Sequence, residues 1–290
     1  MPSINKILKK ESLSPNVKHF KIIAPAVARK AKPGQFVIIR VHEKGERFPI
    51  TLSGTNPDEG TLEFIFAEVG KSSKLLGRLE VGEEILNLSG PLGNKTEIKN
   101  YGTILCIGGG VMIGALLFQI KALKEVGNRI LTVIGARSKE HLILEEEAKA
   151  LSDELYIATD DGSHGHEGIV FIDNILKEKN INHVFTIGPT SLQREISEMT
   201  RPYNIPTTVN LFPIMVDGTG MCGACRVSVD GKTKFTCVDG PEFDGHKVDF
   251  EELMHRLKIF DEFEARSKEQ YESENINPSC VIKRAFDEKK

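Results

Sequence analysis

Thr103-Ile-Leu-Cys-Ile-Gly-Gly-Gly-Val-Met-Ile-Gly-Ala-Leu-Leu-Phe-Gln-Ile-Lys-Ala-Leu-Lys-Glu-Val-Gly127 decides how this chain folds. Its first part, TILCIGGG, is a short apolar run ending in three glycines, the pattern of a buried strand that opens into a loop. The remainder has helical periodicity and stops at Gly127. Downstream the alternation repeats: RILTVIGA, HLILEEEAKALS, LYIATDD, GIVFIDNILKEKN, HVFTIG and SLQREISEMTRPYN. Strands alternating with helices mean βαβ units. The expectation is a central, doubly wound parallel α/β sheet over residues 99–205.

Upstream, the texture is different. FKIIAP, QFVIIRV, TLEFIFAEV and EEILNLSG are short, β-branched and aromatic, and separated by turns such as Lys32-Pro33-Gly34. Short strands at this spacing predict a small antiparallel β-barrel over residues 1–98. Residues 206–249 are rich in glycine and carry three cysteines. A charged amphipathic tail, residues 250–290, closes the chain, with VDFEELMHRLKIFDEFEARSKEQYESE predicted as one helix. The fold class is therefore multidomain, α+β followed by α/β.

The 290 residues suffice for two or three cores. With 38 basic and 41 acidic residues the net charge is −3. No basic excess points to nucleic acid, and no polybasic run points to a membrane surface. No apolar run approaches the roughly 18 residues of a membrane span. The N-terminus, MPSINKILKKESLSPNVKHF, lacks the apolar core of a signal peptide, so a cytoplasmic location is expected.

Five cysteines, an odd number without an export signal, argue against a disulfide framework and for a metal site. Cys106 reads as a buried strand residue and Cys280 as a bystander thiol in a polar tail. The other three form Asp217-Gly-Thr-Gly-Met-Cys222-Gly-Ala-Cys225, followed by Cys237. The spacing D-x4-C-x2-C-x11-C matches the plant-type [2Fe–2S] pattern with aspartate in first place. Cys237 closes the hairpin CRVSVDGKTKFTC, whose turn is Asp230-Gly231. Small residues between Cys222 and Cys225 let backbone N–H groups turn toward sulfur, which raises a cluster's potential. On spacing alone, iron–sulfur is favoured over a three-Cys, one-Asp zinc site, which also fits.

Other positions are candidates for holding a nucleotide. Arg47-Phe-Pro49-Ile-Thr51 offers an arginine for phosphate and a hydroxyl for the edge of a flavin ring. Gly70-Lys71-Ser72-Ser73 opens a short helix whose N–H groups suit a pyrophosphate. Gly109 and Gly110, Asp160 within TDDGS, and Gly188 before Pro189 end successive strands, where open α/β sheets bind ligands. Each motif alone also reads as an ordinary edge strand, N-cap or βα turn, and no G-x-G-x-x-G is present.

Taken in order, RxPxT, GPLGN, GGG, TDDGS, a Gly-Pro strand end and C-x2-C…C resemble the ferredoxin–NADP reductase superfamily. Within it the chain resembles the dihydroorotate dehydrogenase electron-transfer subunit. It is still more similar to the small subunit of NADH-dependent reduced ferredoxin:NADP oxidoreductase (sulfide dehydrogenase beta subunit). PIMVDGTGMCGACRV and FTCVDGPEFDGHKVDFEELM carry that likeness, with aspartate as first ligand. The resemblance implies an oxidoreductase with FAD on the barrel, NAD(H) on the α/β domain and a [2Fe–2S] cluster beyond. It further implies a heterodimer with a larger flavo-iron-sulfur subunit that serves ferredoxin. Arg47, Pro49 and Thr51 would meet the flavin, and Gly70, Lys71, Ser72 and Ser73 its phosphates. Gly109, Gly110, Asp160 and Gly188 would line the nucleotide crevice. Asp217, Cys222, Cys225 and Cys237 would bind the cluster. Hydride transfer itself needs no acid or base, so no catalytic side chain is named.

Two departures stand out. Relatives read GGGVGIAPL, and here Met112 replaces a glycine and the proline is missing. Relatives read Ser-Leu-Asn-Pro, and here the chain has Asn210-Leu-Phe212-Pro. The alternatives are a dihydroorotate dehydrogenase electron-transfer subunit, a free-standing NADH-dependent sulfur reductase and a zinc-stabilised nucleotide-binding regulatory module.

Overall fold

The structure, a computed structural model, describes residues 4–274. Cys280 lies outside the described residues. The first sheet is antiparallel and contains β1 (Ile7–Ser14), β2 (Val17–Ile23), β3 (Phe36–Arg40), β4 (Arg47–Asn56), β5 (Thr61–Ala67) and β6 (Asn87–Leu92). The strand order is β1-β2-β5-β4-β3-β6. The Ile7 N–H donates to the Glu83 carbonyl, and the Gly82 and Ile85 N–H groups donate to Ile7 and Asn5. These bonds join the first strand to the approach to the last, so the sheet closes into the expected barrel. Phe20, Phe64 and Phe66 fill it, with ring centroids 5.1–6.0 Å apart. Two short helices, α1 (Pro25–Ala28) and α2 (Lys71–Gly77), interrupt the strands.

β3 is apolar at every position but its last because both its faces are covered. Val37 and Ile39 enter the barrel core, while Phe36 and Ile38 face the cysteine segment. β4 pairs with β3 from Arg47 to Thr51, but its pairing with β5 begins only at Leu52, beside a bulge before Gly54. The Arg47–Thr51 half therefore has one edge free, which is where a strand tolerates Pro49.

The second sheet runs β10-β9-β8-β7-β11-β12-β15. Its members are β7 (Thr103–Gly109), β8 (Arg129–Ala136), β9 (Glu154–Thr159), β10 (His166–Glu167), β11 (His183–Ile187), β12 (Thr207–Asn210) and the antiparallel β15 (Glu242–Asp244). Residues of β7 alternate between two cores, Ile104 and Cys106 on one face and Leu105 and Ile107 on the other. α3 (Ile113–Glu125) and α4 (Glu145–Leu151) pack on the first face, α5 (Ile172–Glu178) and α6 (Thr190–Thr200) on the second. The sheet is doubly wound, with its switch point between β7 and β11. It also runs past residue 205, since β12 is its sixth parallel strand and β15 adds to it from the cysteine segment.

In that segment β13 (Arg226–Val229) and β14 (Lys232–Phe235) form the expected hairpin. Asp230 and Gly231 both take positive φ, 53° and 68°, as a type I′ turn requires. α7 (Thr236–Asp239) carries Cys237. The tail is two helices, not one. Asp249 caps α8 (Phe250–Leu257), whose Phe250 and Leu253 pack under the hairpin. The chain then turns at Lys258 and continues as α9 (Asp261–Glu274). Tyr271 of α9 is buried beneath Arg78, next to the barrel. A straight helix would serve one of these two surfaces, and the break lets the tail serve both. Among the described residues no helix is long and apolar enough to cross a membrane.

Candidate functional site

A cleft of about 460 Å³ lies where the barrel, the central sheet and the cysteine segment meet. Pro49 and Thr51 reach it from the free edge of β4, and Phe66, Ala67 and Val69 from the end of β5. Gly109, Gly110 and Met112 reach it from β7, and Gly188 and Pro189 from β11. Phe212, Pro213 and Met215 come from the irregular segment after β12 that leads to the cysteines. The walls are almost wholly apolar, while the free edge of β4 supplies backbone donors and acceptors. This combination suits a flat aromatic ring with one polar edge.

Glycine is required at the switch point. A Cβ on Gly109 would lie 3.0 Å from Leu192, and one on Gly188 would lie 3.2 Å from the Gly109 nitrogen. The two strand ends thus approach each other as closely as backbone allows, and both remain open to the cleft. Met112, in the turn after β7, also lines this wall.

The remaining nucleotide candidates lie outside the cleft lining. Arg47 is exposed, opposite Arg40 on β3. Gly70 is the N-cap of α2, immediately after Val69 at the rim. Its N–H and that of Val69 donate to Ser73 Oγ, each at 3.0 Å, and Ser72 Oγ donates to Glu46 at 2.8 Å. Lys71 is half-buried beside them. Asp160 is exposed at the end of β9, two strands from the switch point, and its N–H donates to the Ala136 carbonyl.

The four proposed cluster ligands stand in two pairs. The Cys222 thiol donates to Asp217 Oδ1 at 3.1 Å, and Cys225 Sγ lies 3.2 Å from Cys237 Sγ. Thr219 Oγ1 and the Met221 N–H also donate to Asp217 Oδ2, at 2.7 and 3.2 Å. The Cys222 and Thr219 hydrogen bonds hold the Asp217 carboxyl down at about 2. Cys222 is exposed, whereas Cys225 and Cys237 are each 2% exposed. Burial, then the neighbouring Cys225, pushes the Cys237 thiol up to about 12, against one backbone hydrogen bond from Gly220. Buried neutral thiols this close together release protons readily to a metal and poorly to water.

A mononuclear zinc site gathers four ligands about one point. A binuclear cluster takes two protein ligands on each iron, and the two pairs, three members from one loop and Cys237 from α7, are compatible with that arrangement.

Neighbouring elements hold the loop rigidly. Thr236 donates to the Cys225 carbonyl through both its N–H and its Oγ1, and Arg256 of α8 donates to the Ala224 carbonyl. Asn94, in the turn after β6, donates to the Gly240 and Val238 carbonyls. Cys225, Cys237 and Met215 share one apolar cluster with Phe36 and Ile38 of β3. Phe36 and Met215 also line the cleft, so they are the wall shared by cleft and cysteine pair. Sequence reasoning missed both. The unbroken apolar run in Phe36–Ile39 was the available signal, since a strand with both faces apolar must be covered on both. Cys106 is fully buried in β7, as expected, and burial pushes its thiol up.

Comparison with known proteins adds to this geometry. Residues 5–96 match the oxidoreductase FAD-binding domain family, and residues 213–249 match the iron-sulfur cluster binding domain of dihydroorotate dehydrogenase B. The chain is 47% identical to a dihydroorotate dehydrogenase B (NAD(+)) electron transfer subunit homolog of Thermotoga maritima, over 93% of this chain and 96% of that one. It is 29% identical to the dihydroorotate dehydrogenase B (NAD(+)) electron transfer subunit of Desulforamulus reducens, over 85% of this chain and 97% of that one. A solved structure of NADH-dependent reduced ferredoxin-NADP oxidoreductase, described for flavin-based electron bifurcation, superposes with a TM-score of 0.88 at 46% identity. That match covers 93% of this chain and 99% of the other.

Proposed function

This chain belongs to the family of dihydroorotate dehydrogenase B electron-transfer subunits and their homologs, and from that premise we propose that it carries electrons between NAD(H) and a larger partner subunit. It is an oxidoreductase subunit with an FAD-binding domain and an iron–sulfur domain. The observation that carries the finer reading is the shared wall. Phe36 and Met215 border the apolar cleft on one side and the Cys225–Cys237 pair on the other. Two centres on either side of one layer of side chains are within tunnelling reach of each other.

FAD and NAD(H) supply two-electron hydride chemistry when bound, and a [2Fe–2S] cluster supplies one-electron chemistry. The chain's own residues then have distinct tasks. Pro49 and Thr51 seat the flavin edge on the unpaired half of β4, with Arg47 beside them. Gly70, Lys71, Ser72 and Ser73 lie where its phosphates would run. Gly109, Gly110 and Gly188 let the nicotinamide end of the nucleotide approach the same cleft, with Asp160 toward its far end. Asp217 and Cys222 would hold the exposed iron, and Cys225 and Cys237 the buried one.

Around the exposed pair stand Met221, Val216 and Val238, which are 83%, 50% and 46% exposed. Three exposed apolar side chains beside a redox centre suit the docking of the larger flavo-iron-sulfur subunit, with ferredoxin served through that partner. A cytoplasmic heterodimer is the corresponding assembly. The 46% identity to the ferredoxin-NADP oxidoreductase chain, against 29% to the dihydroorotate dehydrogenase B electron transfer subunit of Desulforamulus reducens, favours the former type.

The test is anaerobic purification of the chain with whatever co-elutes, followed by metal analysis and titration with NADH. Iron near two per chain, bleaching of the flavin band and a reduced-cluster paramagnetic signal are expected. Zinc in place of iron would overturn the cluster assignment. An iron–flavin spectrum untouched by NADH would overturn the assignment of the donor.

A further inference from the structure

Behind the cleft lies a carboxyl group that the electron path described above does not use. Glu242 belongs to β15, the strand by which the cysteine segment joins the central sheet. The residue as a whole is partly exposed, but its carboxyl end is enclosed by Thr96 and Gln119, which are 1% and 3% exposed. Thr96 Oγ1 and Gln119 Nε2 each donate to Glu242 Oε1 at 2.6 Å, and Gln119 Nε2 also reaches Thr96 Oγ1 at 3.0 Å. Thr96 follows the barrel and Gln119 lies on α3, so the carboxyl sits at the junction of all three units.

This carboxyl faces neutral donors only. Among the described residues no lysine, arginine or histidine forms an ion pair with it. Burial raises its proton affinity to about 7, against the Thr96 hydrogen bond. The titratable groups around it come from three elements: Glu97, Lys99 and Tyr101 from the linker, His183 from β11, and Asp244 from its own strand. With Glu242 they border a crevice of about 490 Å³ on the sheet edge opposite the cleft. Lys99 is engaged with Glu97 at 3.0 Å, and burial holds His183 neutral, down at about 4. Neither supplies a counter-charge at neutral pH. α3 contributes only Gln119 and the barrel only Gly34.

The carboxyl is also close to both proposed redox centres. A Cβ on Gly34 would lie 3.0 Å from Glu242 Oε1, and Gly34 lines the cleft, as does Pro241, the residue before Glu242. Five residues separate Glu242 from Cys237, which limits their backbone separation to about 18 Å. Negative charge added on either side must raise the proton affinity of an uncompensated buried carboxylate, and by linkage the proton favours the added charge equally.

We propose that Glu242 couples electron loading to proton uptake, its carboxylate taking one proton from water in the Tyr101–His183 crevice as electrons arrive in the cleft and at the cysteine pairs. An O–H bond forms on Glu242 and no protein bond breaks. The electron stays on the bound groups and the proton comes from solvent. The inference rests on the function proposed above. Glu242 is a positioning and charge-compensating residue and does not touch the reacting atoms.

The test uses the full chain with its co-purifying partner. Reduction potentials are measured by spectroelectrochemistry from pH 5.5 to 8.5, roughly 1.5 units either side of neutrality, for the natural chain and Glu242→Gln. Redox difference infrared spectra are recorded in parallel. The natural chain is expected to show a cluster potential that falls with rising pH around neutrality (the flavin couple takes up protons on its own ring and is not used), and a protonated-carboxyl band that appears on cluster reduction. Glu242→Gln should lose both. Thr96→Val keeps the carboxyl and removes one donor to the carboxylate, so it should move the pH-dependent region upward. An unchanged slope and band in a flavin- and iron-loaded Glu242→Gln protein would overturn the coupling alone. So would a Thr96→Val protein with an unmoved pH region, which serves where Glu242→Gln does not fold. A natural chain without flavin or iron would overturn the function proposed above and the coupling with it.

Discussion

Asp217 Oδ1 lies 3.1 Å from Cys222 Sγ, so the only carboxylate among the four proposed ligands shares the exposed pair, while the buried pair is all thiol. A harder oxygen ligand on the exposed side makes the two iron positions chemically distinct. Asp217→Cys is expected to keep iron and shift the reduction potential. Asp217→Ala is expected to retain iron at least about tenfold less well. Iron analysis and redox titration of both variants check this, and an Asp217→Cys protein with an unaltered potential and spectrum would remove aspartate from the ligand set.

The seat of the cysteine loop depends on Gly218. Its φ is +74°, and a Cβ there would lie 2.8 Å from Ile38 and 2.9 Å from Leu92. Gly218→Ala therefore meets both backbone strain and a clash against the barrel, at a cost of about 1–3 kcal/mol. Thermal unfolding should show the loss. An alanine variant as stable as the natural chain would mean that the loop does not pack on β3 as described.

Met112 places a long side chain in the cleft wall beside Gly109 and Gly110. Met112→Gly should strengthen nicotinamide nucleotide binding threefold to tenfold, about 0.7–1.4 kcal/mol. Isothermal titration with NADH under anaerobic conditions measures it directly. Unchanged affinity would place the nucleotide away from the β7 end of the cleft.

His183 carries an acid-sensitivity that can be isolated. Burial, with Lys99 adding to it, depresses its proton affinity to about 4, and its Nε2 sits 2.8 Å from Thr208 Oγ1. The native state holds the ring neutral while the unfolded chain protonates near the ordinary value. Stability should therefore be fully present above about pH 6.5 and be lost as pH falls toward 4. His183→Gln should flatten that part of the curve of melting temperature against pH. An equally steep decline in the variant would assign it to other groups.

Much of this protein was legible in local pattern. Ile104 to Ile107 are apolar in succession because a central parallel strand is buried on both faces, and that run, with its glycine end, announced the α/β sheet. Asp230-Gly231 announced a hairpin because few residues accept two consecutive positive φ values. Asp217, Cys222, Cys225 and Cys237 stood out as candidate ligands because a loop that wraps a metal cluster keeps its ligands at short, set spacings.

Only the tertiary structure decided how these parts meet. The sorting of the four candidate ligands into two pairs is a matter of distances that spacing alone does not give. Phe36 and Met215 lie far apart in sequence and became one wall because β3 is covered on its outer face by the cysteine segment. Asp160 and Gly188 carry similar strand-end signals, yet strand order puts Gly188 at the switch point and Asp160 two strands away. One amphipathic tail pattern became two helices because it serves two surfaces in different directions. Glu242 looks like any charged residue in a polar stretch, and only the convergence of Thr96, Gln119 and Gly34 encloses its carboxyl. Sequence by itself determined the elements and the candidate ligand set, since backbone propensity and metal spacing act over a few residues. The cleft, the pairing and the buried charge were decided by long-range packing, which no local pattern encodes.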